Sequence, residues 1–102
     1  MGSPEELEAE LAATAVAPRV SLEELRSRID RVWYYNPPET AFTVCMIQLD
    51  NGFIVTGESA PVCPANYVRE VGMKLAYERA EAEVWRLLGF LLRERLHHGE
   101  PA

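Results

Sequence analysis

The segment Pro61-Val62-Cys63-Pro64-Ala65-Asn66-Tyr67 leads into a long helical pattern that carries Arg69 in its first turn and Lys74 about a turn later. A helix start exposes backbone N–H groups that lack partners within the helix, and its dipole favours negative charge, so this junction suits an anion. Phe53 and the tyrosines at 34, 35 and 67 offer flat faces on which a base could stack. Phe53, Asn66, Arg69, Lys74 and Tyr34 are therefore the candidate ligand-binding residues. A plainer reading of the same residues places the aromatics in the core and makes Asn66 a helix cap.

Other chemistry is poorly supplied. Cys45 and Cys63 lack the paired spacing of a zinc or thioredoxin-type site and read as reduced structural cysteines. His97 and His98 are adjacent, which points them about 100° apart on a helix, and they read as part of a C-terminus favoured by the helix dipole. Ser59 lacks the flanking glycines of a nucleophile elbow, and the chain holds no internal histidine to serve as its base. Gly52 and Gly57 sit inside a hairpin pattern and not between a strand and a helix, so no phosphate-cradling loop is encoded. The expectation is a protein that is not an enzyme and needs neither metal nor cofactor.

The 102 residues allow one domain with a modest core, and 48% hydrophobic with 25% charged residues excludes a disordered chain. A net charge of −6 argues against a duplex nucleic-acid partner. From Ala65 to Leu96, however, six bases meet five acids, so the acidic charge lies toward the other end. No run approaches 18 apolar residues, and four acids precede the first base, unlike a signal or transit peptide. A cytoplasmic location without membrane contact is the default expectation.

The elements that must position these residues form an α+β pattern. Ser3-Pro4-Glu5-Glu6 and Ser21-Leu22-Glu23-Glu24 both have the form of a capping box. The first predicts a short acidic helix to about Thr14, followed by a linker from Ala15 to Val20. The second predicts a helix over Leu22–Val32, since Leu22, Leu25, Ile29 and Val32 recur at helical spacing. Asn51-Gly52 predicts a type I′ hairpin between strands 40–50 and 53–59, with Leu49 opposite Ile54. Both hairpin faces read as apolar, which favours oligomerisation. A long helix follows from about Ala65 to Leu88, with a bend or break at Gly89 and a continuation through Leu96. Along it, Gly72, Ala76 and Ala80 form a smooth line for close approach of another backbone, beside a bulkier row of Val68, Val71 and Leu75. The organisation expected is an acidic extension over 1–20, one α+β domain over 21–96 and a frayed tail over 97–102.

Thr43-Val44-Cys45, Asn51-Gly52-Phe53, Gly57-Glu58-Ser59-Ala60, Pro64-Ala65-Asn66-Tyr67, Val71-Gly72, Ala76-Tyr77 and Trp85 occur in an order and spacing that resembles the small gp-type proteins of tailed phages. That family is associated with the first-described Thoeris anti-defence proteins, and the resemblance runs from about Val20 to Leu96. It implies a homo-oligomeric sponge, which binds cyclic ADP-ribose isomers made by bacterial TIR enzymes without cleaving them. It further implies that some members hold cyclic oligonucleotides at separate sites, and that the protein acts in the cytoplasm of an infected bacterial cell. The matching Phe53 and Asn66 motifs are where ligand contacts are expected, whereas the acidic helix before Val20 departs from the family pattern. The alternative function is a phage accessory protein that binds other proteins and no nucleotide, suggested by the two-sided apolar hairpin and the small-residue helix line.

Overall fold

Ser3 and Glu6 close the first helix reciprocally, the Glu6 amide donating to Ser3 Oγ at 3.1 Å and the Ser3 amide to Glu6 Oε1 at 3.3 Å. In the computed structural model, residues 3–14 and 17–100 are described. Met1, Gly2, Ala15, Val16, Pro101 and Ala102, which belong to the expected extension, linker and tail, lie outside the described residues. The chain divides into two units, Met1–Ser27 with Trp85–Ala102, and Arg28–Val84.

The first unit holds α1 (Pro4–Thr14), α2 (Leu22–Ser27) and the last part of α3 (Arg69–His97). None of the α1 residues is buried, so ion pairs tether this helix: Arg19 grips Glu8 with two hydrogen bonds of 2.9 and 3.1 Å, and Arg26 reaches Glu5 at 2.6 Å. Those guanidinium contacts hold both carboxyls below the usual range. Ser21 Oγ accepts from the Glu24 amide to start α2, whose Leu22 and Leu25 are buried, as are Leu88 and Leu92 of α3. Each such leucine contributes about 1.5–3 kcal/mol by leaving water. Residues 97–100 close α3 with a Schellman cap: the Glu100 amide donates to Arg95 O and the Gly99 amide to Leu96 O, with Gly99 at φ +77°. α3 runs through Gly89 without a break.

The second unit is a three-stranded antiparallel meander, β1 (Ile29–Tyr35), β2 (Thr43–Leu49) and β3 (Ile54–Ser59), followed by a 3-10 turn (Pro64–Asn66) and the first part of α3. The α+β class stands, with three corrections to the expected elements. The second helix stops at Ser27, and Ile29–Val32, expected to be its last part, belongs to the strand Ile29–Tyr35. Its run of Val32-Trp33-Tyr34-Tyr35 is β-branched and aromatic, and pairing along β2 outweighs the accidental helical spacing of Ile29 and Val32. The long helix starts at Arg69 and not at Ala65, because Pro64 to Asn66 form the 3-10 turn.

The third correction concerns the hairpin. The Leu49 amide donates to Phe53 O at 2.8 Å and the Gly52 amide to Leu49 O at 2.9 Å, enclosing a three-residue loop. Gly52 has φ +90°, whereas Asn51 keeps a negative φ, so the turn is type I with a glycine bulge and not type I′. Gln48 and not Leu49 therefore faces Ile54. That one-residue shift turns Ile54 and Thr56 outward and Val55, Gly57 and Ser59 inward, level with buried Thr43, Cys45, Ile47 and Leu49.

The small-residue line on α3 is occupied by the chain's own sheet. Gly57 lies against the backbone at Ala76 and Ala80, and Gly72 lies beside Thr43 and Tyr67. Ala76 and Ala80 are fully buried, while Val68, Val71 and Leu75 remain exposed.

Candidate functional site: a cleft between the end of the sheet and the start of the long helix

Tight packing at Gly57 and Gly72 brings the end of β3 alongside the first turns of α3, and the connecting segment Ala60–Val68 must cross between them. The two prolines Pro61 and Pro64 stiffen this crossing, and the Asn66 and Tyr67 amides bond back to Cys63 O and Pro64 O. The result is a cleft of about 110 Å³. Val68, Val71 and Leu75 form its apolar wall, Ser59, Ala60 and Pro61 face them, and Asn66, Tyr67, Gly72 and Arg79 complete the lining.

Arg79 is fixed at one end, its Nη1 donating to Glu58 O at 2.7 Å. No ion pair among the described residues engages it. Tyr67 lines the cleft, and its hydroxyl is buried without a hydrogen-bond partner among the described residues; Thr43 Oγ1 beside Gly72 shares that condition. The first α3 hydrogen bond runs from the Gly72 amide to Val68 O, which leaves the amides at the start of Arg69–Val71 facing outward along the helix axis. Arg79, Tyr67 and Asn66 thus line an apolar slot beside the first turns of α3. Among its described lining residues there is no carboxylate, histidine or cysteine.

The structure distributes the predicted site residues unevenly. Asn66 lines the cleft. Arg69 and Lys74 are exposed on α3 close to it but do not line it. Phe53, 54% exposed, sits at the turn end of the sheet, six residues from Ser59 and so about 20 Å along the strand. Tyr34 lies on β1 opposite Cys45, separated from β3 by the whole of β2. Burial, and then the neighbouring Cys45, raise the Tyr34 hydroxyl above its usual range; burial likewise raises the Cys45 thiol, a bond with Tyr34 opposing it. Arg79 was not among the predicted ligand residues. Its signal was the spacing Gly72, Leu75, Arg79, which puts all three on one helix stripe.

Cys45 is buried and Cys63 exposed, both free. Among the described residues no helix is long and apolar enough to cross a membrane, and no group of potential ligands could hold a metal ion. No curated protein and no solved structure matches the chain. A family model does, over residues 20–96, a span that includes all three strands, the cleft and nearly all of α3. On that match the chain belongs to the phage protein (N4 Gp49/phage Sf6 gene 66) family.

Proposed function

We propose that this phage protein is an anti-defence sponge, which holds cyclic nucleotide immune signals such as TIR-derived cyclic ADP-ribose isomers without cleaving them. One observation carries the reading: Arg79, Tyr67 and Asn66 line a single apolar cleft beside the first turns of α3. A cyclic ADP-ribose isomer presents a pyrophosphate and an adenine, which need an anion site and a π-face close together. The cleft supplies both, and its lining lacks the acid–base pair that hydrolysis would require. Sequestration alone lowers the free signal available to a downstream effector.

Size determines the form of the complex. Ligand sites commonly enclose about 300–1,000 Å³, several times this cleft, so one chain grips a fragment of a cyclic nucleotide and a second copy encloses the rest. Phe53, too distant within one chain, stacks on the base from that second copy. Arg69 and Lys74 add longer-range attraction for the anion. A thermal-shift panel of cyclic ADP-ribose isomers, cyclic dinucleotides and cyclic trinucleotides tests the reading. A tight ligand at 100 times its dissociation constant adds about 2.7 kcal/mol of stability. The parent shifts with at least one cyclic nucleotide and an Arg79→Ala protein shifts much less; no shift with any of them contradicts the proposal.

The alternative, a phage accessory protein acting through protein contacts, draws support from the outward face of the sheet, where Trp33, Tyr35 and Ile54 are exposed. It predicts no response to any nucleotide and retention of a host protein.

A further inference from the structure

Three hydroxyls without partners gather where β2, β3 and the start of α3 meet. Thr43 of β2 and Ser59 of β3 are directly opposite in the register, both on the inward face and both more than nine-tenths buried. Positions paired in this way hold their Cβ atoms about 4.5–5.5 Å apart. Tyr67 joins them at Gly72: a Cβ at position 72 would come within 2.9 Å of Thr43 Oγ1 and 3.3 Å of Tyr67 Cε1, so the missing side chain leaves room next to both. Thr43 Oγ1 and the Tyr67 hydroxyl are buried without a partner, and no hydrogen bond among the described residues uses Ser59 Oγ. Ser59 and Tyr67 line the cleft. Native interiors rarely leave even one hydroxyl unpaired, because the group gives up water and gains nothing in return. Three together, two of them on a cleft, mark a place where the partner comes from outside the chain.

We propose that Thr43, Ser59 and Tyr67 form a neutral polar subsite that takes a ribose hydroxyl of the bound nucleotide. The subsite deepens the nucleotide reading of the cleft and rests on it. Its donors and acceptors select a sugar. A phosphate is best held by charged or multiple donors, and each of these hydroxyls is uncharged and donates once. A base edge carries a fixed order of donors and acceptors, which hydroxyls free to rotate do not discriminate. A sugar hydroxyl both donates and accepts, as each of the three does, so the two sides match whichever way the protons point. Arg79 stands beside this place, its guanidinium held on the carbonyl of Glu58, the residue before Ser59. A diphosphate on Arg79 therefore brings its attached sugar to Ser59, and the apolar wall of Val71 and Leu75 covers the C–H face of the ring.

Calorimetric titration with adenosine diphosphate (ADP), 2′-deoxy-ADP and 3′-deoxy-ADP tests the subsite, since ADP carries both a diphosphate and a ribose. The parent binds ADP, and at least one deoxy analogue binds about tenfold or more weakly, as expected of a site built to bond a hydroxyl that the analogue lacks. Ser59→Ala binds ADP more weakly and no longer distinguishes that analogue from it. Thr43→Val and Tyr67→Phe also bind ADP more weakly, yet keep the parent's midpoint in urea or exceed it, because neither removes a hydroxyl that the fold has paired. A lowered midpoint in either variant makes the hydroxyls structural and overturns the proposal. So does ADP that does not bind, a pair of deoxy analogues that bind as tightly as ADP, or a Ser59→Ala protein that keeps the discrimination. Cyclic ADP-ribose isomers that still bind in those cases leave the nucleotide reading standing, whereas absence of binding to every nucleotide removes both.

Discussion

Gly57 on β3 lies flat against the α3 backbone at Ala80: a Cβ at position 57 would collide with the Ala80 amide nitrogen and come within 2.8 Å of the Arg79 carbonyl carbon. The obstacles are main-chain atoms in the interior of a helix, which cannot turn aside as a side chain can. Gly57→Ala therefore forces sheet and helix apart and disturbs Arg79, which is bonded to the neighbouring Glu58 carbonyl. The expected cost is about 3 kcal/mol, the upper end of overpacking losses, read from urea denaturation. A variant as stable as the parent would mean that this contact does not order the unit.

Gly89 is the opposite case. It lies within α3, and a Cβ there would meet nothing within 4 Å. Glycine in a helix costs about 0.8–1.0 kcal/mol relative to alanine, so Gly89→Ala should stabilise the protein by nearly that amount. An unchanged or lowered denaturation midpoint would show that Gly89 serves a break or a contact absent from this structure.

The tether of α1 is pH-dependent. Arg26 on Glu5 and Arg19 on Glu8 hold both carboxyls below the ordinary glutamate range. A depressed folded value stabilises above the unfolded one, so the contribution is fully present above about pH 4.5 and disappears as pH falls through the lowered values. Carboxyl chemical shifts should place the Glu8 midpoint below 4.5, and Arg19→Gln should return it toward the ordinary range while leaving Glu5 displaced. A Glu8 midpoint at 4.5 or above in the parent contradicts the tether.

Much of this architecture was legible where a local rule and the tertiary structure agree. Ser3 and Ser21 cap their helices as their capping boxes predict, and the apolar runs around Asn51-Gly52 are paired strands. Legibility failed where two rules fit the same residues. Leu22, Leu25, Ile29 and Val32 satisfy a helical period, yet only a long-range partner, β2, reveals that the last two belong to a strand. Asn51-Gly52 suits either a two-residue or a three-residue turn. The choice goes with Asp50, whose amide donates to Arg28 O and whose carboxylate accepts from the Arg28 side chain, tying the loop to the start of β1. The Gly72–Ala76–Ala80 line called for close approach of another backbone without naming it, because a register with Leu49 opposite Ile54 turns Gly57 to the other face. The register shift at the turn brings Gly57 inward to meet that line. At the candidate site, Asn66 is legible through the helix start, whereas Arg79 shares a helix stripe with Gly72 and Leu75 and joins the site through its bond to Glu58 O on β3.

The central claim is that the chain binds a cyclic nucleotide signal and releases it unchanged. The direct measurement is calorimetric titration of the parent protein with the cyclic ADP-ribose isomers, followed by denaturation and chromatography of the recovered ligand. The account predicts saturable binding to at least one isomer, recovery of that isomer intact, and binding weakened about tenfold or more by Arg79→Ala in a folded protein, since a charge-assisted contact contributes about 1.5–3 kcal/mol. Absence of binding to every isomer, or recovery of a cleaved product, would contradict it.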